Sequence, residues 1–85
     1  MKEITLKGVI DVINASGNFG LSPEQLHENL TDLGMDSIKF VQIVVTLEEE
    51  FECEIPDTKL LITEMDTVQK IMNVLKSIHN EPSML

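Results

Sequence analysis

The chain has no arginine, tryptophan or tyrosine, and Cys53 is the only cysteine among its 85 residues. A single cysteine excludes an internal disulfide and a cysteine-based zinc site, and this cysteine usage is typical of a reducing compartment. Arginine is the side chain that binds phosphate through two parallel hydrogen bonds. Its absence and the net charge of −9 both oppose contact with a phosphate backbone, so we expect no binding to nucleic acid.

Long apolar runs are absent as well. No stretch approaches the roughly 18 apolar residues of a membrane-spanning helix, and residues 1 to 7 lack the apolar core of a signal peptide. The two histidines, His27 and His79, have no partners at a spacing typical of a metal site. We therefore expect a soluble cytoplasmic protein with no membrane contact and no metal ion.

The residues that are present favour helices. The apolar residues are mostly Leu, Ile, Val and Met, with only three Phe, and such a core suits interlocking helices better than an aromatic-rich β-sandwich. A chain of this length builds one modest core. We therefore expect a single all-α domain over residues 1–85, monomeric, with a frayed tail at residues 80–85.

The first part of the chain predicts one helix followed by a long connection. Apolar residues at helical spacing predict a helix over about residues 2 to 15, closed by Gly17 or Asn18 in the left-handed conformation. In the connection, residues 22 to 25 read Ser-Pro-Glu-Gln, which is the pattern of a capping box with proline at the first helical position. We expect a short helical turn there.

The second part predicts two further helices. The longer one covers residues 37 to 51, although the β-branched run 41 to 46 leaves a strand as the minority alternative. One more turn is predicted at residues 59 to 62. Asp66 or Thr67 then caps a last helix whose apolar residues repeat at helical spacing.

Ser37 stands where a loop meets the long middle helix. With Asp36 as the N-cap, Ser37 occupies the first helical position, where unpaired backbone N–H groups favour an attached anion such as a phosphodiester. A catalytic serine needs a base within hydrogen-bond reach, and no such spacing or Gly-x-Ser-x-Gly elbow is present. The pattern favours a serine modified by another enzyme over a nucleophile, with a plain exposed serine as the simplest alternative.

Several motifs carry a family resemblance. The segment Leu33-Gly34-Met35-Asp36-Ser37-Ile38 resembles the Asp-Ser-Leu phosphopantetheine attachment motif of acyl and peptidyl carrier proteins. Residues 47–51, 54–57 and 67–68 are similar to the corresponding stretches of bacterial acyl carrier proteins, in the same order and at similar spacing. Together the similar segments span roughly residues 4 to 79.

The resemblance implies a small acyl-carrier-like helical bundle, with three main helices, short helical turns and a long first loop, in the four-helix-bundle class. It implies that a phosphopantetheinyl transferase attaches 4′-phosphopantetheine to Ser37, with Asp36 helping recognition. The protein would then be no enzyme. It would carry an acyl or aminoacyl group as a thioester to loading and condensing enzymes of polyketide, nonribosomal peptide, fatty acid or related synthesis.

The resemblance also places partner docking on the second helix and the loops beside it. Lys39 and Gln42 stand where acidic residues are usual in the fatty-acid type, which favours a stand-alone carrier with dedicated partners. For the two methionines of the docking set, gap filling in the core is the alternative. The residues expected to contact partners are Met35, Ile38, Lys39, Gln42, Val45, Glu48, Glu49 and Met65.

The alternative function is an unmodified acidic adaptor of the same fold that binds a basic partner through the second helix. A hydrolase that uses Ser37 is the least favoured reading. Phe40, Ile43 and Val45 cannot all lie on one core stripe together with the other apolar residues of this helix, so part of this set is expected to be exposed.

The acidic cluster at residues 48–54 predicts a salt dependence. Because Glu48, Glu49, Glu50, Glu52 and Glu54 repel one another, we expect the melting temperature to fall at low ionic strength and to rise with millimolar magnesium. Thermal unfolding followed by circular dichroism checks this. A melting temperature indifferent to both would contradict it.

Overall fold

The structure, a computed structural model, describes the backbone of residues 3–80 and the side chains of residues 3–78. The described part is all-α, as the sequence predicts, and residues 41–46 lie inside a helix, so the strand alternative is wrong. It holds three α-helices and not four, because 3₁₀ turns replace any further helix. The helices are α1 (Leu6–Gly17), α2 (Ser37–Phe51) and α3 (Val68–Asn80), and the 3₁₀ turns are Pro23–Gln25, Asp57–Lys59 and Ile62–Glu64.

Helix α1 begins at Leu6, four residues later than predicted, because Thr5 caps it. Thr5 has an extended backbone, and its Oγ1 accepts a hydrogen bond of 3.1 Å from the backbone N–H of Gly8. At the other end Asn18 adopts the left-handed conformation with φ 58°, and this part of the prediction is confirmed.

Helix α2 has the predicted bounds. Asp36 is its N-cap, and Asp36 Oδ1 accepts a hydrogen bond of 2.9 Å from the backbone N–H of Lys39. The helix ends at Phe51, and Glu52 closes it in the left-handed conformation with φ 54°. These local signals explain why the sequence placed the helix correctly.

Helix α3 follows two 3₁₀ turns and not the single turn predicted at 59–62. Thr67 caps it, since Thr67 Oγ1 accepts a hydrogen bond of 3.1 Å from the backbone N–H of Lys70. The helix is described as far as Asn80, and residues 81–85 of the expected tail lie outside the described residues.

One hydrophobic core lies between the helices. Helix α1 contacts both α2 and α3. Side chains from the connecting segments complete the core, and burial of this apolar surface is the main stabilising contribution. The buried residues from the connections are Leu21, Leu30, Met35, Ile55 and Met65. None of the helices in the described residues is long and apolar enough to span a bilayer.

The long first loop is held against α1 at its beginning. The side-chain amide of Asn14 donates to Leu21 O at 3.1 Å, and its carbonyl oxygen accepts from Leu21 N at 2.9 Å. In the predicted capping segment, Gln25 Oε1 accepts a hydrogen bond of 2.8 Å from Ser22 N. The helical turn expected there is a single 3₁₀ turn.

Glu52 provides a test of the α2 terminus. A left-handed residue with a Cβ costs about 1–2 kcal/mol, while glycine adds about 0.5–1 kcal/mol of unfolded-chain entropy. We therefore expect Glu52→Gly to raise the free energy of unfolding in urea by roughly 0.5–1 kcal/mol. Glu52→Gln is the matched control, because it removes the charge and keeps the strain. A Gln variant as stable as the Gly variant would assign the effect to charge.

Candidate functional site

The loop that precedes α2 brings Ser37 to the surface. Gly34 has φ 113°, which lies in the positive region that favours glycine. The backbone N–H of Met35 then donates to Leu30 O at 2.9 Å, and the Met35 side chain enters the core. Because Met35 is anchored, Asp36 and Ser37 emerge at the start of the helix with both side chains exposed.

The same loop is fastened to the start of α3. The backbone N–H of Leu30 donates to Asp66 O at 2.7 Å, and the N–H of Gln69 donates to Leu26 O at 3.0 Å. The second bond satisfies a backbone donor that a helix N-terminus otherwise leaves unpaired. Two segments far apart in the chain thus hold each other where α2 begins.

An ion pair supports this junction from the side of α3. Lys70 Nζ lies 3.0 Å from Asp66 Oδ1 and donates a hydrogen bond of 3.0 Å to Thr63 O. The Asp66 side chain is mostly buried, so this pair is screened less than the exposed pair of Lys7 and Asp11. It fixes the segment that receives the Leu30 hydrogen bond.

Ser37 has an environment suited to an attached anion. It is the first residue of α2, and the Asp36 carboxylate satisfies one of the unpaired N–H groups there. The others leave partial positive charge at the helix start, which favours a phosphodiester. In the part of the chain whose side chains are described, no histidine or carboxylate is hydrogen-bonded to Ser37, so the serine has no base of its own there.

The side of α2 turned away from the core, here called the α2 outer face, carries Ile38, Val41, Gln42, Val45 and Glu49. Ile38, Val41 and Val45 are 70%, 57% and 46% exposed, which is unusual for large aliphatic side chains. Gln42 and Glu49 are exposed as well. The sequence prediction included all of these residues except Val41.

The structure shows which of the apolar residues of α2 lie in the core and which are exposed. Phe40 and Ile43 are buried, and Val45 is exposed. A signal for Val41 was present, because the buried residues of α2 lie at i, i+3, i+4, i+7 and i+11 and this spacing places Val41 off the core stripe. The buried set is Phe40, Ile43, Val44, Leu47 and Phe51.

Lys39 lies on one edge of the outer face and is half-buried. Its Nζ lies 5.3 Å from the centroid of the Phe19 ring, a cation–π contact worth about 0.5–1 kcal/mol at an exposed site. Phe19 belongs to the first loop, so this contact links the loop to the first turn of α2. No pattern in the sequence indicates this pairing.

Two expected docking residues are corrected by the structure. Met35 and Met65 are 5% and 0% exposed, so their side chains fill the core and are out of a partner's reach in this conformation. A third, Glu48, is half-buried, and its Oε2 accepts a hydrogen bond of 2.8 Å from the backbone N–H of Ile55. Its carboxylate therefore holds the loop that follows α2.

Cys53 lies beside that carboxylate. Burial and, to a lesser degree, the negative charge of Glu48 raise the pKa of the Cys53 thiol. Both effects oppose formation of the reactive thiolate. Its half-buried position suits a small apolar residue.

Comparison with known proteins agrees with the site geometry. A family model described as a phosphopantetheine attachment site matches residues 15–75, which is more than half of the chain and includes Ser37. The chain is 37% identical over 78 residues to the D-alanyl carrier proteins of Lactobacillus helveticus and Lactobacillus acidophilus, and these matches cover 91% of this chain and 98% of each relative.

A shorter match joins the chain to another carrier. It is 46% identical over 43 residues to an acyl carrier protein of a Bradyrhizobium species, covering 47% of this chain and 54% of that protein. No solved structure matches the chain significantly. The prosthetic group of such carriers is 4′-phosphopantetheine, and they are not enzymes. The exposed serine, the family model and the full-length relatives agree, and the chain belongs to the phosphopantetheine-binding carrier protein family.

Proposed function

We propose that Ser37 carries the 4′-phosphopantetheine group and that the protein transports a small aminoacyl group, D-alanyl or a close analogue. The observation that carries the attachment site is the exposed Ser37 side chain at the first position of a capped helix, within the matched residues 15–75. The proposed cargo rests on the two D-alanyl carrier proteins that match along almost their whole length.

The chemistry at Ser37 needs a second protein. The Ser37 hydroxyl oxygen forms a new bond to the phosphopantetheinyl phosphorus of coenzyme A. The bond from this phosphorus to the bridging oxygen of the pyrophosphate linkage breaks, and 3′,5′-ADP leaves. The hydroxyl proton passes to a base of the transferase, because Ser37 has no basic partner among the described side chains. When bound, the group supplies a thiol that holds the cargo as a thioester.

The chain's own residues place and support the modified serine. The partial positive charge of the α2 N-terminus stabilises the phosphodiester, at a typical 0.3–1 kcal/mol for such a charge. We propose that the exposed Asp36 carboxylate is recognised by the transferase. The docking residues on the outer face and its edge contact the enzymes that load and receive the cargo; they are Ile38, Lys39, Gln42, Val45 and Glu49.

The wider setting follows from these proposals. The partners are a phosphopantetheinyl transferase and enzymes that load, condense or transfer an acyl or aminoacyl group. The neutral and basic residues at Gln42 and Lys39 favour partners dedicated to this carrier over those of fatty acid synthesis. We propose that it acts as a monomer in the cytoplasm.

One prediction from the proposed function concerns attachment. Incubation with coenzyme A, magnesium and a promiscuous phosphopantetheinyl transferase should add the mass of one phosphopantetheine to the intact protein, because the Ser37 side chain is exposed. Ser37→Ala should show no gain. Ser77→Ala, at an exposed serine of α3, is the matched control and should be modified like the unaltered protein.

Two outcomes would count against the proposal. No gain in the unaltered protein would favour the unmodified adaptor, and a gain that persists in Ser37→Ala would place the group on another residue.

Another prediction separates the two roles of Asp36. Asp36→Ala should lower the free energy of unfolding by about 1 kcal/mol, because the Lys39 N–H loses its acceptor. Asp36→Asn should retain stability within roughly 0.5 kcal/mol, since Asn is an equally good N-cap. If the transferase reads the carboxylate, Asp36→Asn should still lower kcat/KM for modification about tenfold. Unchanged kcat/KM in the Asn variant would leave Asp36 with a capping role alone.

A further inference from the structure

Asp66 joins the start of α3 to the loop that presents Ser37. Its backbone oxygen accepts the hydrogen bond of 2.7 Å from Leu30 N, and Leu30 O in turn accepts one of 2.9 Å from Met35 N. Met35 is buried and lies two residues before Ser37. A short series of hydrogen bonds of ordinary length therefore leads from Asp66 to the proposed attachment site.

A single cation lies beside the Asp66 carboxylate in the described part of the chain. Asp66 Oδ1 is shielded from solvent and has no aligned hydrogen bond there, but it lies 3.0 Å from Lys70 Nζ. The Lys70 ammonium donates to Thr63 O at 3.0 Å, so the same side chain also holds the segment before Asp66. Loss of this ammonium would leave a shielded carboxylate oxygen without a partner, which is unfavourable.

We infer that Asp66 and Lys70 are positioning residues for the attachment of phosphopantetheine to Ser37. This inference rests on the proposed attachment site. The ion pair holds the backbone of Asp66 where it receives the Leu30 hydrogen bond, and the Met35 hydrogen bond then fixes the point at which α2 begins. Both residues act through the backbone and not by contact with the Ser37 hydroxyl.

The expected effect falls on kcat. Transfer needs the Ser37 oxygen within about 3–3.5 Å of the phosphorus and in line with the leaving group, so a small displacement of the helix start slows it. The exposed side chains around Ser37 are the same in variants of Asp66 or Lys70. The KM for the carrier should therefore change little.

The test measures kcat and KM of the full chain as the substrate of a promiscuous phosphopantetheinyl transferase, with coenzyme A and magnesium. Lys70→Met removes the ammonium and keeps an apolar stem, while Lys70→Arg keeps the positive charge. Lys7→Met is the matched control, because it removes the exposed i,i+4 ion pair with Asp11 in α1. Asp66→Asn, alone and combined with Lys70→Met, completes a double-mutant cycle.

Lys70→Met should lower kcat about tenfold and leave KM within about twofold, and Lys70→Arg should restore most of the loss. Lys7→Met should leave both constants within about twofold, since an exposed ion pair contributes little. Adding Asp66→Asn to Lys70→Met should recover part of kcat, because a neutral amide needs no cation beside it.

Amide hydrogen exchange gives a second measurement that needs no transferase. In Lys70→Met the N–H groups of Leu30 and Met35 should exchange about tenfold faster, while that of Ile13 in α1 should be nearly unchanged, because the junction opens locally. Equal acceleration at Leu30 and Ile13 would assign the ion pair to global stability and overturn the positioning role.

The kinetic outcomes separate this inference from the proposed function. An unchanged kcat in Lys70→Met, or a loss confined to KM, would overturn the positioning role and leave Ser37 as the attachment site. Failure of the unaltered protein to accept phosphopantetheine would overturn the attachment site and this inference together.

Discussion

The presentation of Ser37 depends on two backbone hydrogen bonds that join the first loop to the start of α3. Leu30 donates to Asp66, and Gln69 donates to Leu26. A loop with a single 3₁₀ turn has little regular structure of its own, and such segments are ordered only where their backbone groups find partners. These bonds supply the partners, and they fix the point from which the chain enters α2.

Because Met35 is buried, the two residues that follow it lie at the surface. A buried side chain one residue before the N-cap leaves Asp36 and Ser37 outside the core. The N-cap then begins the helix at that point, and the dipole of α2 favours an anion on the first residue. Stability and presentation therefore share the same few residues, and the site needs no catalytic side chain.

Helix α2 has a core side and an outer face with different roles. Its core side packs against α1, while its outer face has exposed aliphatic residues beside Ser37. Exposed aliphatic residues lower solubility, and the net charge of −9 offsets this by keeping molecules apart. A carrier must meet several enzymes in turn, and a surface that is apolar but flanked by charge suits brief and selective contacts.

Residues that resemble functional groups can have structural roles, and the last turn of α2 and the segment after it show this. Glu48 belongs to the acidic cluster, but its carboxylate accepts a hydrogen bond from Ile55. Met65 is a flexible apolar side chain in a connection near the site, and it is fully buried. Neither role is visible in the residue type, because each depends on a partner brought close by the fold.

The sequence by itself determined the features whose physical cause is local. The bounds of α2, its cap at Asp36, a left-handed residue at Gly17 or Asn18 and the all-α class all follow from neighbours within a few residues. The attachment site at Ser37 was an expectation from the resemblance of the surrounding motif to that of carrier proteins. Only the tertiary structure decided that Met35 and Met65 are buried, that Phe19 holds Lys39, and that Leu30 binds Asp66. The last two contacts join residues 20 or more positions apart, and burial likewise depends on what the whole chain packs around a side chain, which local pattern does not specify.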